Sequence, residues 1–201
     1  MIGNKYLLAS LAGAAALVIS SGAAEIGKPA PDFNAKDAKG ESVGLTALKG
    51  KVIVLEWVNH GCPFVKKHYD SGNMQKLQEN YAAKGVVWIS ITSASKKSGA
   101  YLDDAAFLKL SEEKKSKAGH WVVDESGAIG KAYSAKVTPH MFVINKEGVL
   151  VYDGAIDSKK STDVADIAVS DNHVAKALDA VLDGKPVEKA KTEPYGCGVK
   201  Y

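Results

Sequence analysis

The feature that most limits how this chain can fold is residues 51–58 (KVIVLEWV), a nearly unbroken β-branched and aromatic run that ends just before Gly61, Cys62 and Pro63. A strand apolar on both faces has to lie inside a sheet covered on both sides, as a parallel strand feeding a helix does. Residues 86–92 (VVWISIT) repeat the pattern. Between the two runs the signals are helical. Pro63 stands where a first-turn proline is tolerated, Asp70, Ser71 and Gly72 predict a break or bend, and Met74, Leu77 and Tyr81 return at helical spacing.

Further along, residues 101–115 keep a helical character, 120–123 (HWVV) predict a short strand and 128–135 a small helix. MFVIN at 141–145 and VLVY at 149–152 flank Lys146, Glu147 and Gly148, a hairpin signal with antiparallel strands. Residues 172–182 form the clearest helix, with Val174, Ala177, Leu178, Val181 and Leu182 on one face. Ser170 or Asp171 is expected to cap it, and Gly184 and Pro186 end it. A strand, helix, strand opening followed by a hairpin and a closing helix predicts an α/β fold. Its central mixed β-sheet is flanked by helices on both faces, the order of a thioredoxin-like fold.

At 201 residues, with 46% hydrophobic and 24% charged residues, the chain has the composition of one globular domain, which excludes disordered, collagen-like and multi-span membrane classes. Its 26 basic and 23 acidic residues are scattered without a basic block, so no nucleic acid partner is expected. All of the basic residues are lysine, which removes any chemistry needing a guanidinium fork. Residues 1–24 carry one cation, Lys5, then an apolar stretch from Leu7 to Ile19 and small residues up to Ala24. This reads as a secretory signal peptide cleaved near Ala23 or Ala24, with an uncleaved anchor as the alternative. The expected organisation is therefore a signal segment (1–24), a domain (25–185) and a C-terminal tail (186–201) carrying Cys197. The mature protein would be exported, periplasmic or extracellular, with no stable membrane insertion. Export places both cysteines, Cys62 and Cys197, where a disulfide can persist.

Cys62 falls where a strand passes into a helix. There it faces unpaired amides and the positive helix end, which favour a thiolate and a nucleophilic sulfur over an inert buried cysteine. Lys66, one turn along, can add a cation. Glu56, six residues before Cys62 and amid apolar neighbours, is either neutralised by a lysine or protonated by desolvation and able to exchange a proton with a nearby thiol. Thr138 and Pro139 precede a buried strand. A proline there suits a cis turn, and the backbone before it can hydrogen-bond a substrate chain.

The stretches 27–33 (GKPAPDF), 51–69 (KVIVLEWVNHGCPFVKKHY), 137–144 (VTPHMFVI) and 195–201 (YGCGVKY) resemble exported, peroxiredoxin-like redoxins of the thioredoxin superfamily, across nearly all of the mature chain. The resemblance implies that Cys62 is redox-active, that Pro139 is cis beside it and that Glu56 is the buried acid under the site. It also implies a thiol-disulfide or peroxide-reducing activity. Two departures matter. Val65 stands where thioredoxin-type reductases carry a second cysteine. Leu55 and Asn59 stand where peroxiredoxins carry Pro and Thr or Ser, and their arginine has no counterpart.

Cys197, between Gly196 and Gly198, is then the remaining partner, in a tail flexible enough to return to Cys62. A Cys62–Cys197 disulfide is expected, either cycling or acting as a static staple worth about 5 kcal/mol on the chain-entropy model. The expected protein is a thiol-dependent oxidoreductase with no organic cofactor. Cys62, Cys197, Glu56 and Pro139 are catalytic, and Thr138, Pro63 and Lys66 line the substrate groove. Its partners are a disulfide or hydroperoxide substrate and a thiol electron donor. Two alternatives stay open: a copper or zinc protein using His60, Cys62, His140 and Cys197, and a non-catalytic scaffold with a structural disulfide. His68 and His120 have weaker claims to a role, His173 is expected to be solvated, and so are the lysine pairs, Lys66 with Lys67 among them. Residues 157–167 are expected as a lid or a plain loop.

Overall fold

The computed structural model describes residues 22–201; the expected signal peptide lies almost wholly outside the described residues. β3 (Ile53–Trp57) forms inside the first apolar run and is buried throughout. Strand alternation splits its side chains between two cores. Val52, Val54 and Val58 enter one hydrophobic cluster, and Ile53, Leu55 and Trp57 enter the other. β3 pairs in parallel with β4 (Val87–Thr92) and antiparallel with β7 (His140–Ile144). With β5 (His120–Val123) and β8 (Leu150–Gly154) these make a five-stranded mixed sheet in the order β5-β4-β3-β7-β8.

On the Val54 side the sheet is covered by α1 (Pro63–Asp70), α2 (Asn73–Ala82), α3 (Asp104–Glu113) and α5 (His173–Leu182), through residues such as Val65, Met74, Phe107 and Val174. The Leu55 side is covered by α4 (Ala128–Ala132) and by a hairpin, β1 (Asn34–Lys36) with β2 (Ser42–Gly44). The expected mixed sheet with helices on both faces is therefore present. The β1–β2 hairpin is an addition that the sequence reading missed. The bend between α1 and α2 is set at Gly72, whose φ of +76° glycine adopts without strain.

Smaller expectations are corrected by tertiary packing. Asn172 caps α5, its side-chain oxygen accepting the Ala175 N–H at 2.8 Å. Ser170 instead turns its hydroxyl toward Asp157 and the Ile167 carbonyl, and Asp171 pairs with Lys176. His173 is buried rather than solvated, because its backbone is drawn onto Ile156 at 3.0 Å.

Three larger corrections concern the site. Residues 186–201 are not a loose tail but a strap laid over the domain. The Asp153 N–H donates to the Ala190 carbonyl at 2.9 Å, and Thr192 Oγ1 accepts the Ala155 N–H at 2.9 Å. Further on, β9 (Cys197–Gly198) pairs antiparallel with β6 (Val137–Thr138), Val199 donates to the Lys136 carbonyl at 3.0 Å, and the Lys200 carbonyl accepts Ser95 N–H at 2.9 Å. An edge strand leaves backbone groups unpaired, and the strap satisfies them. Residues 157–167 are a mostly exposed loop over 158–163, tied at its base through Asp157, that winds up in a 3₁₀ helix, Val164–Val169, and so is not a plain loop throughout. Lys67 is not solvated: its side chain is 0% exposed and forms an ion pair with Asp157, itself 2% exposed.

Candidate functional site

Cys62 is the N-cap residue of α1, in extended conformation, and Pro63 follows as the first helical residue. The Val65 and Lys66 N–H groups donate to its main-chain carbonyl at 3.0 and 2.9 Å, so the sulfur stands at the open end of the helix. That sulfur lies 2.7 Å from the Cys197 sulfur and 3.1 Å from the Thr138 carbonyl oxygen. Both cysteines are free thiols, Cys62 buried at 2% exposure and Cys197 half-buried. The β6–β9 register puts Cys197 opposite Thr138, and the Thr138–Pro139 peptide bond is cis. The structure thus brings together Cys62, Cys197, Thr138 and Pro139, with Pro63 at the rim. Lys66 is not part of this group. It stays exposed on α1, while its neighbour Lys67 turns inward.

The two sulfurs are not equivalent. Burial by itself would push the Cys62 thiol up, but hydrogen bonds from the Cys197 side chain and backbone, and from the Val65 amide, together outweigh it and its pKa falls below the ordinary thiol value. Cys197 goes the other way, to about 11, through burial and through its contact with the Cys62 sulfur. Of the two thiols, Cys62 is therefore the one that gives up its proton more readily.

Glu56 is fully buried. Its carboxyl accepts hydrogen bonds from Tyr69 (3.0 Å), Gln78 (3.2 Å), Trp88 (2.7 Å) and Ser90 (3.1 Å). Burial outweighs these donors and raises its pKa. Of the two sequence readings, neutralisation by a lysine is therefore wrong, since no lysine among the described residues reaches it. Desolvation fits, but the carboxyl hydrogen-bonds to neither thiol.

The four proposed metal ligands do not converge. His60 turns its Nε2 to Ser111 Oγ at 3.3 Å and packs edge-on against Tyr69, and burial together with the Lys114 charge lowers its pKa to about 4. His140 directs Nε2 to Asp153 at 2.8 Å and takes the Lys136 N–H on Nδ1. A half-buried carboxylate and a buried hydroxyl claim these rings before either sulfur can. Among the described residues, Asp37, Glu41 and His120 do offer three ligand atoms within 4.8 Å of one another. His120 Nδ1 is already 2.8 Å from Asp37, whose other oxygen accepts the Lys39 and Glu41 amides, so the trio ties the β1–β2 turn to β5. A cleft of about 600 Å³ between α5 and residues 185–189 contains neither cysteine. The site is an edge, not a pocket.

The residues missed by sequence reasoning are Tyr195, Asp157 and Lys67. Tyr195 OH donates to Asp157 Oδ1, and Lys67 Nζ reaches Asp157 Oδ2 at 3.3 Å, so one carboxylate joins the helix of Cys62 to the strap of Cys197. An aromatic residue two positions before a cysteine flanked by glycines was the available signal.

Residues 25–170 match the sequence profile of the redoxin family. The chain belongs to the redoxin family. This redoxin is 30% identical over 131 residues to the thiol-disulfide oxidoreductase ResA of Bacillus thuringiensis subsp. konkukian, covering 64% of this chain and 69% of that protein. It is 28% identical over 149 residues to the thioredoxin-like protein YneN of Bacillus subtilis, covering 70% and 79% of the two chains. In structure it is similar to an uncharacterized conserved protein of Geobacillus kaustophilus, with a TM-score of 0.76 and 26% identity over 94% of this chain and 97% of that one. The redoxin profile ends before Cys197, so the strap lies beyond the part of the chain it matches.

Proposed function

We propose that this redoxin is an exported thiol-disulfide oxidoreductase in which Cys62 is the attacking thiol and Cys197 the resolving one. The observation that carries this reading is the pair of free sulfurs 2.7 Å apart at the N-terminus of α1. The Cys62 thiolate attacks a substrate disulfide, forming a mixed disulfide and releasing one substrate thiolate. Cys197 then gives up its proton and attacks the Cys62 sulfur, which yields a Cys62–Cys197 disulfide and the second substrate thiol. Glu56, whose pKa burial raises, is the carboxyl that exchanges a proton beneath the pair, and cis-Pro139 with the Thr138 backbone shapes the edge on which a substrate lies. A thiol donor returns the pair to the dithiol.

A disulfide is preferred to a hydroperoxide as substrate. The chain has no arginine to polarise a peroxide, and Lys66, the nearest cation in sequence, faces solvent. Export rests on residues 1–24, whose pattern of one cation, an apolar core and small residues is that of a cleaved leader.

The test is a redox titration of the purified protein against glutathione, read by non-reducing peptide mapping. The expected result is a Cys62–Cys197 cross-link that opens and closes within the range of the glutathione pool, together with reduction of a peptide disulfide. A pair that forms far below that range is a static staple and ends the catalytic reading.

A further inference from the structure

Cys62 is nearly closed to solvent, and the Cys197 sulfur from the C-terminal strap lies 2.7 Å from it. Cys197 occupies the β6 edge beside cis-Pro139, opposite Thr138, where a partner would have to lie to reach the Cys62 sulfur. The seat is close-fitting. Gly196 has φ of +143°, and a Cβ added there would collide with the Thr138 carbonyl oxygen. One position upstream, the buried Tyr195 packs edge-on against Phe64 of α1 at 5.7 Å and donates its hydroxyl to Asp157. That carboxylate is held through its other oxygen by Lys67 of α1, and the Lys159 N–H of its own loop shares Oδ1 with Tyr195 at 2.9 Å. A buried carboxylate loses much when a donor leaves, so the Tyr195 contact fastens the strap to α1.

We propose that Asp157 and Tyr195 form a latch that seats the strap over Cys62. The latch sets both the access of an outside disulfide to Cys62 and the speed with which Cys197 resolves it. This rests on the thiol-exchange reading above. With the latch shut, the reduced pair is covered. When it opens, the Cys62 thiolate attacks one sulfur of a peptide disulfide and the other sulfur leaves as thiolate. When it shuts again, Cys197 loses a proton and attacks the Cys62 sulfur, and the departing peptide thiolate takes up that proton. A protein dithiol reduces the resulting disulfide. Asp157 and Tyr195 touch no reacting atom; they are positioning residues.

The latch therefore predicts two effects of opposite sign. In Tyr195→Phe, alkylation of Cys62 by iodoacetamide, followed on the Cys62 peptide by mass spectrometry, rises about tenfold, while resolution of a mixed disulfide with a synthetic cysteine peptide slows about tenfold. Gly196→Ala, which unseats the same segment through its backbone, shifts both rates in the same directions. Faster amide exchange in both variants is confined to residues 195–201. Rates within twofold of wild type in both variants overturn the latch, and so does faster exchange spread over the whole chain, which marks a general loss of stability. Failure of the wild-type protein to form any Cys62 mixed disulfide overturns the thiol-exchange reading itself, and the latch with it.

Discussion

The two sulfurs of this redoxin sit 2.7 Å apart, yet their surroundings are built in opposite ways. The backbone that presents Cys62, and the acid beneath it, come from one short stretch. β3 delivers the chain, Cys62 caps α1, and Glu56 and Tyr69 lie within seven residues on either side. Cys197 is held instead by segments scattered through the sequence: Thr138 across the β6–β9 ladder, Asp157 through Tyr195, and Ser95 through the Lys200 carbonyl. A locally encoded nucleophile survives changes elsewhere in the chain. A remotely assembled partner can be released by loosening one contact, which suits a residue that has to move during turnover.

Breaking the local half should have the largest effect. Cys62→Ser removes the attacking thiolate and is expected to lower turnover of a peptide disulfide by about ten-thousandfold, measured with dithiothreitol as reductant. Turnover equal to wild type would transfer the chemistry to Cys197 and reverse the comparison. Cys197→Ala is expected to cost less, about a hundredfold, because an outside thiol can still resolve the mixed disulfide without the advantage of a tethered one. The same variant deletes the side-chain donor that helps lower the Cys62 pKa. The midpoint of its alkylation against pH should therefore move up, toward that of an ordinary thiol. A midpoint that stays put would mean that the backbone amides of residues 197 and 65, with the helix end, suffice without the Cys197 side chain.

This contrast also explains what was legible in the sequence. The strand run, the proline after Cys62, the break at Gly72 and the Thr138–Pro139 turn are short-range signals, and each is found where it was expected. Lys67 reads as a surface lysine because its partner, Asp157, lies ninety positions away. The strap reads as a tail because two glycines beside a cysteine look like freedom, whereas Gly196 is there for a close approach to Thr138. His60 and His140 read as metal ligands because each lies near a site element in sequence. Their rings are turned by Ser111 and Asp153, which no local pattern pairs with them.

Glu56 sharpens the local half through pH. Its folded pKa is raised by burial, so its contribution to stability is complete below the unfolded carboxyl value near 4.5 and is lost as pH rises through the folded value. Within that window the wild type should lose up to about 1.4 kcal/mol per pH unit from this group. Glu56→Gln keeps an acceptor for Trp88 and Ser90 but carries no charge. Urea unfolding at pH 5 and pH 8 should show a smaller drop in the variant than in the wild type. Equal drops would mean that Glu56 is ionised in the folded protein at both values.

The smallest expected effect belongs to the far end of the strap. Thr192 Oγ1 accepts the Ala155 N–H at 2.9 Å and shares a hydrogen bond with Tyr152 OH at 2.7 Å, clamping the strap to β8 well before Cys197. Thr192→Val keeps the shape and removes the hydroxyl, leaving the Ala155 amide without that acceptor. The loss should be about 1–2 kcal/mol in urea unfolding. Alkylation of Cys62 should hardly change, because Tyr195 and the β6–β9 ladder hold the last residues independently of this clamp. If Cys62 were instead exposed as readily as in Tyr195→Phe, the strap would move as one rigid piece from residue 190 onward. The remote half would then be a single long lever rather than a short seat with its own latch.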